Sequence, residues 1–69
     1  MVEVFKTNVH EVEKSNIIFQ KLQKHFPGNQ INFDLEDCDK ILRVEGTNIL
    51  SEKIIEMLKE EGHSCEILF

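Results

Sequence analysis

The chain has 69 residues, with thirteen acidic against eight basic side chains and a formal net charge of −5. That length leaves room for a single domain over residues 1–69 with a thin core, and none for a deep enclosed substrate pocket. The acidic balance, with lysines set among glutamates as in Lys59-Glu60-Glu61, argues against nucleic acid, whose binders neutralise phosphates with a basic stripe, and no apolar run approaches the ~20 residues of a membrane span.

Residues 2–7 read as a strand. Val2 and Val4 alternate with Glu3 and are expected to face the core, while Phe5 and Thr7 add β preference. The same segment lacks the basic and apolar regions of a signal peptide, so a cytoplasmic location is expected. Asn8 reads as a helix N-cap with Glu11 at the capping-box position. The helix is expected to run to about His25, with Val12, Ile18, Phe19, Leu22 and Phe26 as its apolar stripe and Ser15 on that stripe permitting close packing. Pro27-Gly28-Asn29 ends it, because proline cannot continue the helix and glycine accepts positive φ.

A second strand is predicted over 30–36, where Ile31, Phe33 and Leu35 alternate with Asn32, Asp34 and Glu36. Asp37-Cys38-Asp39-Lys40 is turn-like, and Ile41 to Glu45 forms a third strand with Leu42 and Val44 on one face and Ile41 and Arg43 on the other. The short separation makes these two strands a hairpin. After the break at Gly46-Thr47-Asn48, a second helix is predicted over 49–61, with Leu50, Ile54, Met57 and Leu58 inward. Asn48 and Ser51 are alternative caps, and Gly62 suits the position after the helix. A last strand over 64–69 alternates Cys65, Ile67 and Phe69 with Glu66 and Leu68.

The order is β-α-β-β-α-β. With right-handed crossovers it defines an α+β, ferredoxin-like sandwich: a four-stranded antiparallel sheet, ordered four-one-three-two, with two helices on one face. Several segments carry a closer resemblance. These are Ile18 and Leu22 on the first helix, Phe26-Pro27-Gly28 at its end, Ile31-Asn32-Phe33-Asp34-Leu35-Glu36, and Glu60-Glu61-Gly62-His63. Over nearly its whole length the chain resembles the heavy-metal-associated (HMA) domain of copper and zinc chaperones and P-type ATPases. The resemblance implies the same sandwich. It sets Val9 where the family carries the Met of its Met-x-Cys-x-x-Cys loop, and Glu11 and Lys14 where the family carries its two metal-binding cysteines. A carboxylate and an ammonium do not replace two soft sulfurs, so the resemblance implies a degenerate member without the family's Cu(I) site.

The first loop, the hairpin turn and the step into the last strand are expected at one end of this fold, which draws His10, Glu11, Cys38 and His63 together. Imidazole, carboxylate and thiolate suit a borderline ion such as Zn²⁺, so His10, Glu11 and His63 are candidate ligands of a weak divalent metal site; no other cofactor is expected. Against that stands an ordinary structural role, with His10 and Glu11 at the helix start and His63 on the surface. Cys38, between Asp37 and Asp39, is expected to have a raised thiol pKa and low reactivity. Cys65 reads as a small core hydrophobe. The two cysteines are far apart in sequence and make no disulfide framework.

Phe19, Phe26 and Phe33 fall on core-facing positions. Phe5 has the opposite parity to Val2 and Val4, and Ile41 and Leu68 share its outward direction. Phe5, Ile41 and Leu68 are therefore expected to form one apolar patch on the open sheet face, the mark of a protein partner or a homodimer. No paired carboxylates, nucleophile constellation or phosphate-binding glycine loop argues for an enzyme. The expected function is a non-enzymatic interaction or regulatory module acting through its open sheet face. The alternatives are a metal-binding or metal-trafficking protein using His10, Glu11 and His63, and, by fold analogy, a small-ligand sensor.

Overall fold

The computed structural model of the chain describes residues 1–36 and 40–68. Asp37, Cys38 and Asp39 of the hairpin turn, and Phe69, lie outside the described residues, and with them the expectations for Cys38 and for the end of the last strand.

The elements are β1 (Val2–Thr7), α1 (Val12–His25), β2 (Gln30–Asp34), β3 (Ile41–Glu45), α2 (Ser51–Glu60) and β4 (Cys65–Ile67). All strand pairs are antiparallel, and the four-stranded sheet runs β2-β3-β1-β4, which is four-one-three-two from the opposite edge. Phe5 stands opposite Leu42 on one side and Ile67 on the other, Leu42 opposite Phe33, and Val44 opposite Ile31. Because opposed residues share a face, these side chains form one inner layer. Ile18 and Leu22 of α1 and Ile54, Met57 and Leu58 of α2 close over it in a single core.

The parity of β1 is the reverse of the expectation. Phe5 is fully buried, whereas Val2 is 45% exposed on the other face beside partly buried Val4. A one-residue shift exchanges the two faces of a strand, so Val2 and Val4 could not join Phe5 inside. Burying a phenylalanine is worth up to ~3 kcal/mol, and Val2, the first residue of the strand, sits at the margin of the core. The downstream residues favour the same choice. Thr7 is buried with its hydroxyl donating to the Lys40 carbonyl (2.6 Å) and accepting from the Val9 amide (3.2 Å), and Val9 is itself fully buried. Phe5, Thr7 and Val9 therefore go in together.

Ser15, Ile18 and Leu22 are the buried residues of α1, and the Ser15 hydroxyl donates to the Val12 carbonyl (2.7 Å), which satisfies it inside the interface. Val12 and Phe19, expected inward, are 66% and 37% exposed. The reason is the width of the sheet: α1 packs on β2, an edge strand, so the outer flank of the helix overhangs the edge. Leu50, also expected inward, is exposed because it precedes the first turn of α2 as its N-cap residue. Neither Asn48 nor Ser51 caps that helix by a side-chain hydrogen bond.

Two glycines meet real conformational demands. Gly62 has φ 84; its amide bonds to the Lys59 carbonyl (3.0 Å), and the His63 amide to the Leu58 carbonyl (2.9 Å). This paired closure of a helix C-terminus needs a left-handed residue at that point. Gly46 has φ 145, and a Cβ there would run into the side-chain amide of the buried Asn29.

Candidate functional site

Two regions collect the residues with chemical or adhesive potential: the loop end of the sheet and its open face. At the loop end three segments meet, as the topology predicts. The Thr7 amide and hydroxyl both donate to the Lys40 carbonyl, at 3.2 and 2.6 Å. Lys40 adopts φ 49, a left-handed conformation uncommon for a non-glycine residue, and its Nζ donates to the Leu35 carbonyl (2.8 Å). The Asn8 side-chain oxygen accepts from the Ser64 amide (2.9 Å) and lies 3.2 Å from His63 Nδ1. Since that oxygen can only accept, the hydrogen bond requires His63 to carry its proton on Nδ1.

Asn8 is therefore not a helix cap. Helix α1 begins at Val12, with Glu11 in extended conformation at the N-cap position and no side-chain cap hydrogen bond. Starting the helix at Asn8 would have coiled Val9 into its first turn, and Val9 is instead inserted into the core. The price of an uncapped helix start is offset by Asn8 tying the first loop to the step into β4.

Among the described residues the loop end brings together no full ligand set. His10 and Glu11 are exposed, His63 is engaged by Asn8, and among the described residues no three His, Cys, Asp or Glu side chains stand close enough to hold a metal ion. Cys65 packs against the core as expected. Burial, and then the neighbouring Glu66 carboxylate, push its thiol up to about 12 from 9.0. At neutral pH it is an unreactive thiol.

The open face is built differently. Its central residue, Val4, stands opposite Arg43 and receives a hydrogen bond on its carbonyl from the Leu68 amide (2.8 Å). Lys6 lies between Glu66 and Ile41. Arg43 Nη2 reaches Glu45 Oε1 on its own strand (3.4 Å). Leu68 is 41% exposed and Ile41 partly buried, so both stand where their parity predicts. Phe5 does not join them; it lies in the core on the opposite face. Val2 and Val4 take its place, and the apolar patch of this face is Val2, Val4, Ile41 and Leu68. The alternation of Val2 with Val4 marked these residues as a set, and the burial of Thr7 two positions beyond Phe5 was the signal that the set faces outward.

Among the described residues no helix is long and apolar enough to cross a membrane. Comparison with known proteins finds no matching family model, no matching curated protein and no matching solved structure. The reading of function therefore rests on the surfaces of the chain itself.

Proposed function

We propose that the chain is a non-enzymatic interaction module of ferredoxin-like architecture, a degenerate relative of the HMA domain, whose working surface is the open sheet face and whose simplest partner is a second copy of itself. The observation that carries this reading is the set of Val2, Val4 and Leu68, with Ile41 diagonal to Val4, on the face away from the core. The same face interleaves Lys6 and Arg43 with Glu45 and Glu66. A face holding both signs of charge can match itself across a two-fold axis, as an isologous dimer requires. The strand order and the two crossover helices support the ferredoxin-like assignment. The inert thiol of Cys65 and the His63 ring held by Asn8 favour binding over catalysis.

Four strands ~4.8 Å apart and about five residues long offer roughly 300 Å² of projected face. That is well below the ~800 Å² per partner of a standard interface, so the association is expected to be reversible and concentration-dependent. Sedimentation of the wild-type chain and of Leu68→Asp over a wide concentration range tests it. Dimerisation of the wild type that Leu68→Asp abolishes supports the reading. A strict monomer would remove the second copy as partner. Retention by Leu68→Asp of every protein bound by the wild type would remove the open face as the working surface.

A further inference from the structure

The two edges of the sheet are unequally protected. At one edge β4 is three residues long, and a short strand is a poor template for pairing. At the other edge lies β2, Gln30–Asp34, with sequence QINFD. It carries none of the lysines or prolines that usually guard an edge. Its N–H and C=O groups on the side away from β3 have no strand beyond them among the described residues.

A shallow groove of about 410 Å³ runs along this edge between α1 and β2. Val12 and Phe19 form its helix side, and Phe33 and Leu35 its strand side. Val12 and Phe19 are exposed, and Phe33 and Leu35, which pack against the core, are only partly buried, so all four keep apolar surface toward the groove. A strand edge beside an apolar groove under a helix is the combination that accepts an extended peptide: backbone bonds supply affinity, and every second side chain enters the groove. The charge around it has one dominant sign. Glu11 and Glu13 flank Val12 in the chain, and Asp34 and Glu36 flank Leu35. Of the nearby lysines, Lys14 faces the other flank of α1, toward Glu61 and His63, and Lys40 is bonded to the Leu35 carbonyl.

We infer that β2 accepts an extended segment of a partner protein, apolar at every second residue and basic between, as a fifth strand of the sheet. Its apolar side chains fill the groove between α1 and β2, and its basic ones, on the opposite face of the added strand, meet Asp34 and Glu36. The site adjoins the open sheet face at Asp34, which stands opposite Ile41, but its groove lies on the other side of the sheet, so Phe19→Lys and Leu68→Asp distinguish the two surfaces.

The test is a titration of the isotope-labelled chain with a peptide of about seven residues, enough to span β2, alternating Lys and Val. Amide shifts are expected to concentrate on residues 30–34 and on Val12, Asn16 and Phe19. Binding is expected to weaken at least ~10-fold in Phe19→Lys, and in Val12→Lys as a second variant; both sites are exposed, so the fold should survive. A peptide with Glu in place of Lys is expected to bind at least ~10-fold more weakly, and a copy N-methylated at alternate residues should not bind. The inference is overturned by an absence of shifts at millimolar peptide, by shifts centred on Val4 and Leu68, or by equal binding of the acidic peptide. It is also overturned if the chain alone dimerises through a contact that Phe19→Lys breaks and Leu68→Asp does not, since a second copy then occupies the edge.

Discussion

The two faces of the sheet use the same residue types for different ends. On the inner face Phe5, Leu42, Val44 and Ile31 are buried with the helices, and their apolar character goes into stability. On the open face Val2, Val4, Ile41 and Leu68 sit among Lys6, Arg43, Glu45 and Glu66, outside the buried core cluster. Apolar residues that a fold does not need for its own core are the ones available for contact with something else.

The largest expected effect separates the faces directly. Phe5→Ala empties a fully buried site and should cost ~3–5 kcal/mol in chemical denaturation, whereas Leu68→Ala should stay within about 0.5 kcal/mol. Equal costs would break the comparison. A comparable effect is expected in another observable. In a Cys38→Ser background, the Cys65 thiolate should form with a midpoint near 12 in the folded chain and near 9.0 in denaturant. The fold favours the neutral thiol, so this contribution to stability is complete below pH 9.0 and is lost as the pH rises toward 12. A folded-state midpoint of 9.0 would mean that Cys65 faces water.

A smaller effect is expected at the rim of the sheet. Gly46→Ala combines a strained φ with a collision against Asn29 and should cost ~2 kcal/mol; an unchanged denaturation midpoint would refute that packing. The smallest concerns the loop end. Asn8→Ala should cost about 1 kcal/mol and should shift the His63 ring away from the Nδ1–H tautomer, which nitrogen NMR of the imidazole reads directly. A wild-type ring already in the Nε2–H form would contradict the hydrogen bond to Asn8.

Much of the architecture is legible in the sequence because it rests on local alternation. Ile31 with Phe33 and Leu42 with Val44 define the hairpin, and Gly62 marks a helix end that needs a left-handed residue. What is not legible depends on distant partners. The parity of V-E-V-F-K-T is ambiguous by itself, and Thr7 resolves it through a carbonyl 33 residues away. Asn8 satisfies the local rule for an N-cap, yet its side chain is used 56 residues away at Ser64. Val12 and Phe19 satisfy the helical period, but periodicity carries no information on where the sheet beneath α1 stops. At the candidate site the same distinction holds: Ile41 and Leu68 follow from strand parity, while the replacement of Phe5 by Val2 and Val4 required the register.

The most direct test of self-association through the open face is sedimentation equilibrium of the wild-type chain beside Leu68→Asp and Val4→Lys, from micromolar to millimolar concentration. A mass that rises with concentration in the wild type and stays monomeric in both variants is the predicted result. A wild type that remains monomeric throughout, or variants that associate as the wild type does, would contradict it.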